Sequence, residues 1–220
     1  MVEAADLLIE GDRVLALGET GSVQAPPSAI RIDLSGKTVV PAFIDAHAHL
    51  GYEGYTSWGA ESYTRENLLE NLERYAYYGF AAVFSAGTDP GDLARDVARA
   101  QGDGSVGGAR LLFAAGMGPP GQGPNSQFLA HVVALAEETG MTILRGAATP
   151  DEGRAAVREI ADAEISFVKI WVDDRGGSQE KLRPEVYRAI IEEAAVHGLP
   201  VVVHQQSVTD MPDLLDAGVS

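Results

Sequence analysis

A chain of 220 residues has room for one substantial domain, or for a large domain with a small appendage. Its 45% apolar and 22% charged residues suit a globular protein, and no apolar run nears the roughly 18 residues that suggest a membrane span. A net charge of −16 repels phosphate backbones and sets nucleic acid aside as a partner, and with no cysteine any metal must rest on nitrogen and oxygen ligands. The start, Met1-Val2-Glu3-Ala4-Ala5-Asp6, lacks the basic and apolar pattern of a signal peptide. A cytoplasmic location is therefore expected. A secreted or periplasmic form is left open, because the start itself reads as incomplete.

Residues 6–18 read as two short strands around a Gly11-Asp12 turn. Ile30, Ile32 and Leu34 alternate with polar neighbours and predict a third strand. Three short strands bury little alone, so residues 1–38 are expected to belong to a small sheet completed elsewhere, which the family resemblance given below makes part of a β-sandwich. From Val39 the texture changes to alternating strands and helices. The pattern predicts helices over 64–78, 91–101, 127–139, 150–163 and 184–197, with a short one over 212–217. Thr149-Pro150-Asp151-Glu152 supplies a capping box for the fourth of these. Strands are expected over 39–50, 80–86, 110–115, 167–172 and 199–204, with another short one near 143–147 and a Gly/Pro-rich loop over 116–125. Five or six β/α units in residues 39–220 imply a parallel sheet flanked by helices, an α/β fold. A closed eight-stranded barrel takes about 250 residues, so the expectation is an incomplete barrel whose C-terminal part is missing.

The first of these strands ends in chemistry. Along a strand, side chains alternate between faces, so Asp45, His47 and His49 are expected to point one way while Phe43 and Ile44 anchor the strand in a core. Two neighbouring imidazoles are what a divalent cation needs from one element, although a bare His-x-His also suits ordinary packing. Two later strand ends carry equally unusual groups: Lys169 within Val168-Lys169-Ile170-Trp171, and His204 closing Val201-Val202-Val203-His204. In a β/α barrel the C-terminal strand ends converge on one face. A lysine inside an apolar strand is costly unless paired, neutralised or modified. An ion pair with Asp45 or Asp173 would satisfy it. So would burial near positive charge, which favours the neutral amine, and a neutral amine can add carbon dioxide to become an anionic carbamate.

In this order, the Asp-x-His-x-His, Val-Lys-Ile-Trp and Val-Val-His strands resemble the amidohydrolase superfamily, above all its binuclear, prolidase-like members with a carboxylated lysine. The lead-in from Ile32 to Pro41 resembles that family's junction between β-sandwich and TIM barrel, with Ala42 where a glycine is usual. The resemblance implies that His47 and His49 bind one metal, that carboxylated Lys169 bridges to a second, and that His204 binds the second. Two zinc ions would be expected, manganese or cobalt being alternatives, with carbon dioxide needed for the lysine. It further implies a metal-bound hydroxide attacking a carbon–nitrogen bond in a small molecule such as a non-peptide amide, a dipeptide or an N-acyl amino acid. A further metal-binding histidine and the acid/base aspartate of the family have no counterpart here, so no catalytic residue is assigned. Asp216-Ala217-Gly218-Val219-Ser220 falls where the next histidine-bearing strand would begin. The chain is accordingly read as a fragment, expected to bind metal poorly and to be inactive alone. A homo-oligomer is compatible with the full-length protein.

Smaller signals complete the expectation. Tyr52, Trp171 and Arg175 are candidates to bind substrate, Tyr52 standing in an aromatic loop with Tyr55, Trp58 and Tyr63. Each has a plainer role available in packing or as a solvated loop charge. His131 and His197 lie within predicted helices: His131 is read as a helix-surface residue, and His197 as structural, at a helix C-terminus where a cation meets the dipole favourably. A mononuclear deaminase of the same superfamily would not need Lys169, and a non-catalytic truncated product would leave strand edges bare. A nucleotide-binding fold is disfavoured, because the prolines of Gly116-Met117-Gly118-Pro119-Pro120-Gly121 prevent the required helix start.

Overall fold

The computed structural model describes residues 3–220. The chain divides into two units, residues 1–41 and 42–220. In the first, β1 (Ala5–Glu10) and β2 (Arg13–Glu19) form an antiparallel hairpin in which Glu10 faces Arg13. Its turn is made by Gly11, whose positive φ of 60° costs a glycine nothing. The expected third strand is not formed: Ile30 and Ile32 are exposed and unpaired by any described strand. Alternation gives a segment one apolar face, but without a partner for its backbone it stays irregular.

The second unit alternates strands and helices: β3 (Phe43–Ala48), α1 (Arg65–Tyr77), β4 (Phe80–Ser85), α2 (Gly91–Gly102), β5 (Arg110–Phe113), β6 (Ala115–Gly118), α3 (Ser126–Thr139), β7 (Leu144–Gly146), α4 (Pro150–Asp162), β8 (Val168–Trp171), α5 (Pro184–Val196), β9 (Val201–His204) and α6 (Met211–Ala217). Local chemistry sets the helix limits. Thr64 accepts a bond from the Asn67 N–H to start α1. Thr149 does the same for Glu152 at the start of α4. The Glu152 carboxylate returns the favour to the Ala148 N–H, one residue short of the usual capping-box partner.

All strand pairs in this unit are parallel. β5 and β6 are one strand interrupted at Ala114, and they join what would otherwise be two sheets. The Ala114 N–H donates to Ser85 of β4, and the next N–H, from Ala115, donates to Phe167 beside β8. Consecutive amides point to opposite edges, so β4 and β8 flank this strand and the order β3, β4, β5/β6, β8, β9 follows the chain. β7 pairs with β6 on the edge that β4 vacates. This is five successive parallel strands in TIM-barrel order. The strand continues through Gly116–Gly118, which the sequence reads as loop; its two glycines do not break it, because both its edges find partners, and it ends before Pro119.

One face of the sheet packs on the helices through Leu68, Leu72, Val83, Val97, Leu111, Val157, Val168, Ile170 and Ile190. The other face carries Phe84, Ala86, Ala114, Leu112, Phe167 and Val202. Phe43 and Ile44, expected as core anchors, are 56% and 66% exposed. β3 is an edge strand, and Phe43 meets the ring of Phe80 with centroids 5.6 Å apart.

Candidate functional site

Strand alternation delivers the site. In β8, Val168 and Ile170 face the helices, so Lys169 and Trp171 share the opposite face with Phe167. In β9 the same rule puts His204 on the face of Val202, and in β3 it puts His47 opposite Ala48. His47 and His49 lie at the end of β3 with ring centroids 5.4 Å apart, edge to face. In register, Lys169 stands opposite Gly116 on one side and Val202 on the other, and Trp171 stands opposite His204.

Lys169 is only 2% exposed. Among the described residues no carboxylate lies within ion-pairing distance of it, and the two expected partners are occupied elsewhere. Asp45 accepts from the His47 N–H at 3.0 Å and from the Tyr75 hydroxyl at 2.9 Å, and so leaves the histidine row expected for it. Asp173 binds His204 and Arg175. Burial alone lowers the Lys169 amine to about 8, toward its neutral form. Its Nζ lies 5.6 Å from the centre of the Trp171 ring. Gly87 and Gly116 make the room: a Cβ on Gly87 would stand 2.7 Å from Lys169 Cβ, and one on Gly116 would stand 2.2 Å from the Gly87 carbonyl oxygen.

The imidazoles are shifted toward their neutral form as well. Burial, then the charges of His47, Lys169 and His204, lower His49 to about 3. Burial and Lys169 lower His47, while burial, Arg175 and Lys169 lower His204 against the opposing pull of Asp173. His49 Nδ1 lies 2.9 Å from Thr88 Oγ1, and Phe128 meets the ring edge-on at 4.9 Å. Among the described residues no three His, Cys, Asp or Glu side chains are grouped closely enough to hold a cation. A metal would thus have to draw on Lys169 too. The donor set fits one chemically, since all four nitrogens are biased toward the form with a free lone pair.

Of the substrate candidates, Tyr52 is fully buried and its hydroxyl donates to the Thr88 carbonyl at 2.7 Å. Trp171 is also buried beside Lys169, and Arg175 is paired to Asp173 at 3.0 Å. Tyr55 is exposed, whereas Tyr63 is buried and donates to Asp89 at 2.6 Å. His131 accepts from the Ala60 N–H and meets Trp58, which makes it a tie for the loop after β3. His197 ends α5 beside Glu193 at 3.5 Å, the structural place expected of it. Residues absent from the sequence reading are Gly87, Thr88 and Asp89. The signal available was a Gly-Thr-Asp-Pro turn directly after a buried strand, on the same end as the histidines.

No family model matches the chain. Imidazolonepropionase from Streptomyces avermitilis is 41% identical over 54 residues, 24% of this chain and 13% of that protein. N-substituted formamide deformylase from Arthrobacter pascens is 37% identical over 79 residues, 33% of this chain and 15% of its own length. The solved structure of molinate hydrolase superposes with a TM-score of 0.79 and 22% identity, over 99% of this chain and 53% of the other.

These likenesses support a place in the amidohydrolase superfamily.

The chain spans about half the length of that structure, and its sequence matches cover still smaller shares of the curated relatives. The shared fold is an α/β TIM-barrel architecture. Among the described residues no helix is long and apolar enough to cross a membrane.

Proposed function

We propose that this chain is part of an amidohydrolase that hydrolyses a carbon–nitrogen bond of a small molecule with the help of one or two divalent cations. His47, His49, Lys169 as its carbamate, and His204 would hold them. The observation that carries this is Lys169, buried without a counter-ion on the strand face shared with His47 and His204, its amine lowered to about 8. A salt-bridged structural lysine would have a partner, and an inert one would be a poor choice for that place. The relatives support the reaction class: a deformylase of N-substituted formamides and a molinate hydrolase.

When bound, a divalent cation supplies Lewis acidity and lowers the pKa of water. The chain's own residues do the rest. His49 is fixed by Thr88 and Phe128, and His204 by Asp173. Trp171 covers the Lys169 side chain and keeps bulk water from it. Neutral Lys169 can take up carbon dioxide: the amine nitrogen bonds to the carbon and loses a proton, and a carbamate anion forms. Zinc, with manganese or cobalt as alternatives, is the metal this nitrogen and oxygen donor set would favour. Formamides, dipeptides and N-acyl amino acids are the substrates to try.

The full-length protein, purified with zinc and bicarbonate, should carry metal by elemental analysis and release amine from such substrates. A protein that takes up no zinc, manganese or cobalt would overturn the proposal.

A further inference from the structure

We propose that Thr88 is the positioning residue of His49: its hydroxyl takes Nδ1 of the ring and leaves Nε2 to face the site. This rests on the reading of His49 as a ligand and adds the group that aims it.

Thr88 is fully buried, and among the described residues the only side-chain bond of its hydroxyl is the one of 2.9 Å to His49. Its backbone is fixed from two sides. Gly87 turns the chain at φ 86°, directly after β4. Tyr52, three residues past His49, donates its hydroxyl to the Thr88 carbonyl at 2.7 Å. Tyr52 is itself fully buried, with the rings of Phe128 and Tyr63 at 4.9 and 5.2 Å. The loops after β3 and β4 therefore grip each other reciprocally. The first donates a hydroxyl to a carbonyl of the second, and the second sets its hydroxyl against an imidazole nitrogen of the first. Phe128 packs on both Tyr52 and His49, so the ring of His49 is confined in plane and in direction.

A neutral imidazole has one N–H and one lone pair. With Nδ1–H donating to Thr88 Oγ1, the lone pair falls on Nε2, the atom away from the threonine. With Thr88 donating to Nδ1 instead, Nε2 carries the hydrogen and cannot bind a cation. The hydroxyl serves either arrangement by rotation. Only the first is competent, and Thr88 supplies the acceptor that a buried Nδ1–H requires.

Two substitutions in the full-length protein separate the hydroxyl from its methyl. Thr88→Val keeps the shape and removes the bond; Thr88→Ser keeps the bond and removes the methyl. Two-bond 1H–15N spectra of labelled histidine at one fixed pH report the His49 tautomer, and zinc affinity is read by chelator competition. Wild type and Thr88→Ser should share one His49 signature, with Nδ1–H once zinc is bound. Thr88→Val should shift it and weaken zinc binding by roughly tenfold or more. A Thr88→Val protein with wild-type signature and affinity overturns the proposal, and so does a defect confined to Thr88→Ser. If even wild type takes no zinc, the ligand reading fails, while the zinc-free spectra of wild type and Thr88→Val still decide whether Thr88 sets the ring.

Discussion

Asp173 holds His204 across neighbouring strand ends, its Oδ2 lying 3.1 Å from His204 Nε2. The same oxygen meets Arg175 Nε at 3.0 Å, and the other, Oδ1, accepts the Arg175 N–H at 3.1 Å. A carboxylate so placed keeps the hydrogen of neutral His204 on Nε2, so that the lone pair stands on Nδ1. Asp173→Ala should therefore weaken zinc binding by roughly 10- to 100-fold, the usual effect of losing an outer carboxylate. Chelator competition measures this. Unchanged affinity would sink the assignment of His204 as a ligand oriented by Asp173.

Lys169 makes a prediction about stability that opposes the one about activity. Its folded-state amine titrates at about 8 against an ordinary 10.5. Between those values the unfolded chain binds the extra proton, so stability rises with pH there, and the full penalty is present below about 8. The penalty is on the order of 3 kcal/mol at neutral pH. Lys169→Met should stabilise the metal-free protein by up to about that amount at pH 7 and lose the benefit above pH 10, while abolishing hydrolysis. Urea midpoints at pH 7 and 10.5 test it. A methionine variant less stable than wild type at pH 7 would show that the amine has a partner.

Asp89 behaves in the reverse sense. Burial raises it to about 6 from 3.8, against the lowering effect of bonds from Tyr63 and Ser85, and among the described residues its Oδ2 has no hydrogen-bond partner. An acid whose folded value is raised binds its proton more tightly when folded, so stability falls as pH rises from about 4 to 6 and stays reduced above. The cost is on the order of 2–3 kcal/mol. Asp89→Asn should flatten that fall, and thermal midpoints between pH 4 and 7 would show it. A variant with the wild-type pH slope would contradict the raised value.

How far the site was legible follows from period and parity. His47, Lys169 and His204 stand at strand ends with period-two alternation around them, and alternation alone puts them on one face. The helices were legible through caps such as Thr149 and through glycine stops such as Gly198. What failed did so for lack of partners. Ile30 and Ile32 alternate correctly, yet a strand exists only when another backbone pairs with it. Phe43 and Ile44 read as core because they are apolar, but the cover a residue receives depends on neighbours distant in sequence. Asp45 shares the parity of His47 and still leaves the row, because Tyr75 of α1 offers its carboxylate a hydroxyl and the register of β3 is irregular beyond it. Thr88 was invisible for the same reason: a threonine in a turn carries no sign of the ring that a remote strand will bring to it.

Gly87 offers the sharpest test of how the lysine is housed. Its φ of 86° lies where side chains are strained, and a Cβ there would meet Lys169 Cβ at 2.7 Å and Cγ at 2.8 Å. These are stem atoms in a packed strand, not the free end of a flexible chain. Gly87→Ala therefore combines a backbone penalty of about 1 kcal/mol or more with a forced shift of the lysine. Together they should destabilise the protein by about 2–4 kcal/mol. The added Cβ would also crowd Gly116, whose Cα lies 3.2 Å from it. Activity per folded molecule should fall as well, since the shift moves the group that must reach the histidines. Comparing hydrolysis with the folded fraction measured by circular dichroism separates the two effects. Loss of activity in strict proportion to unfolding would mean that the Lys169 position tolerates the displacement.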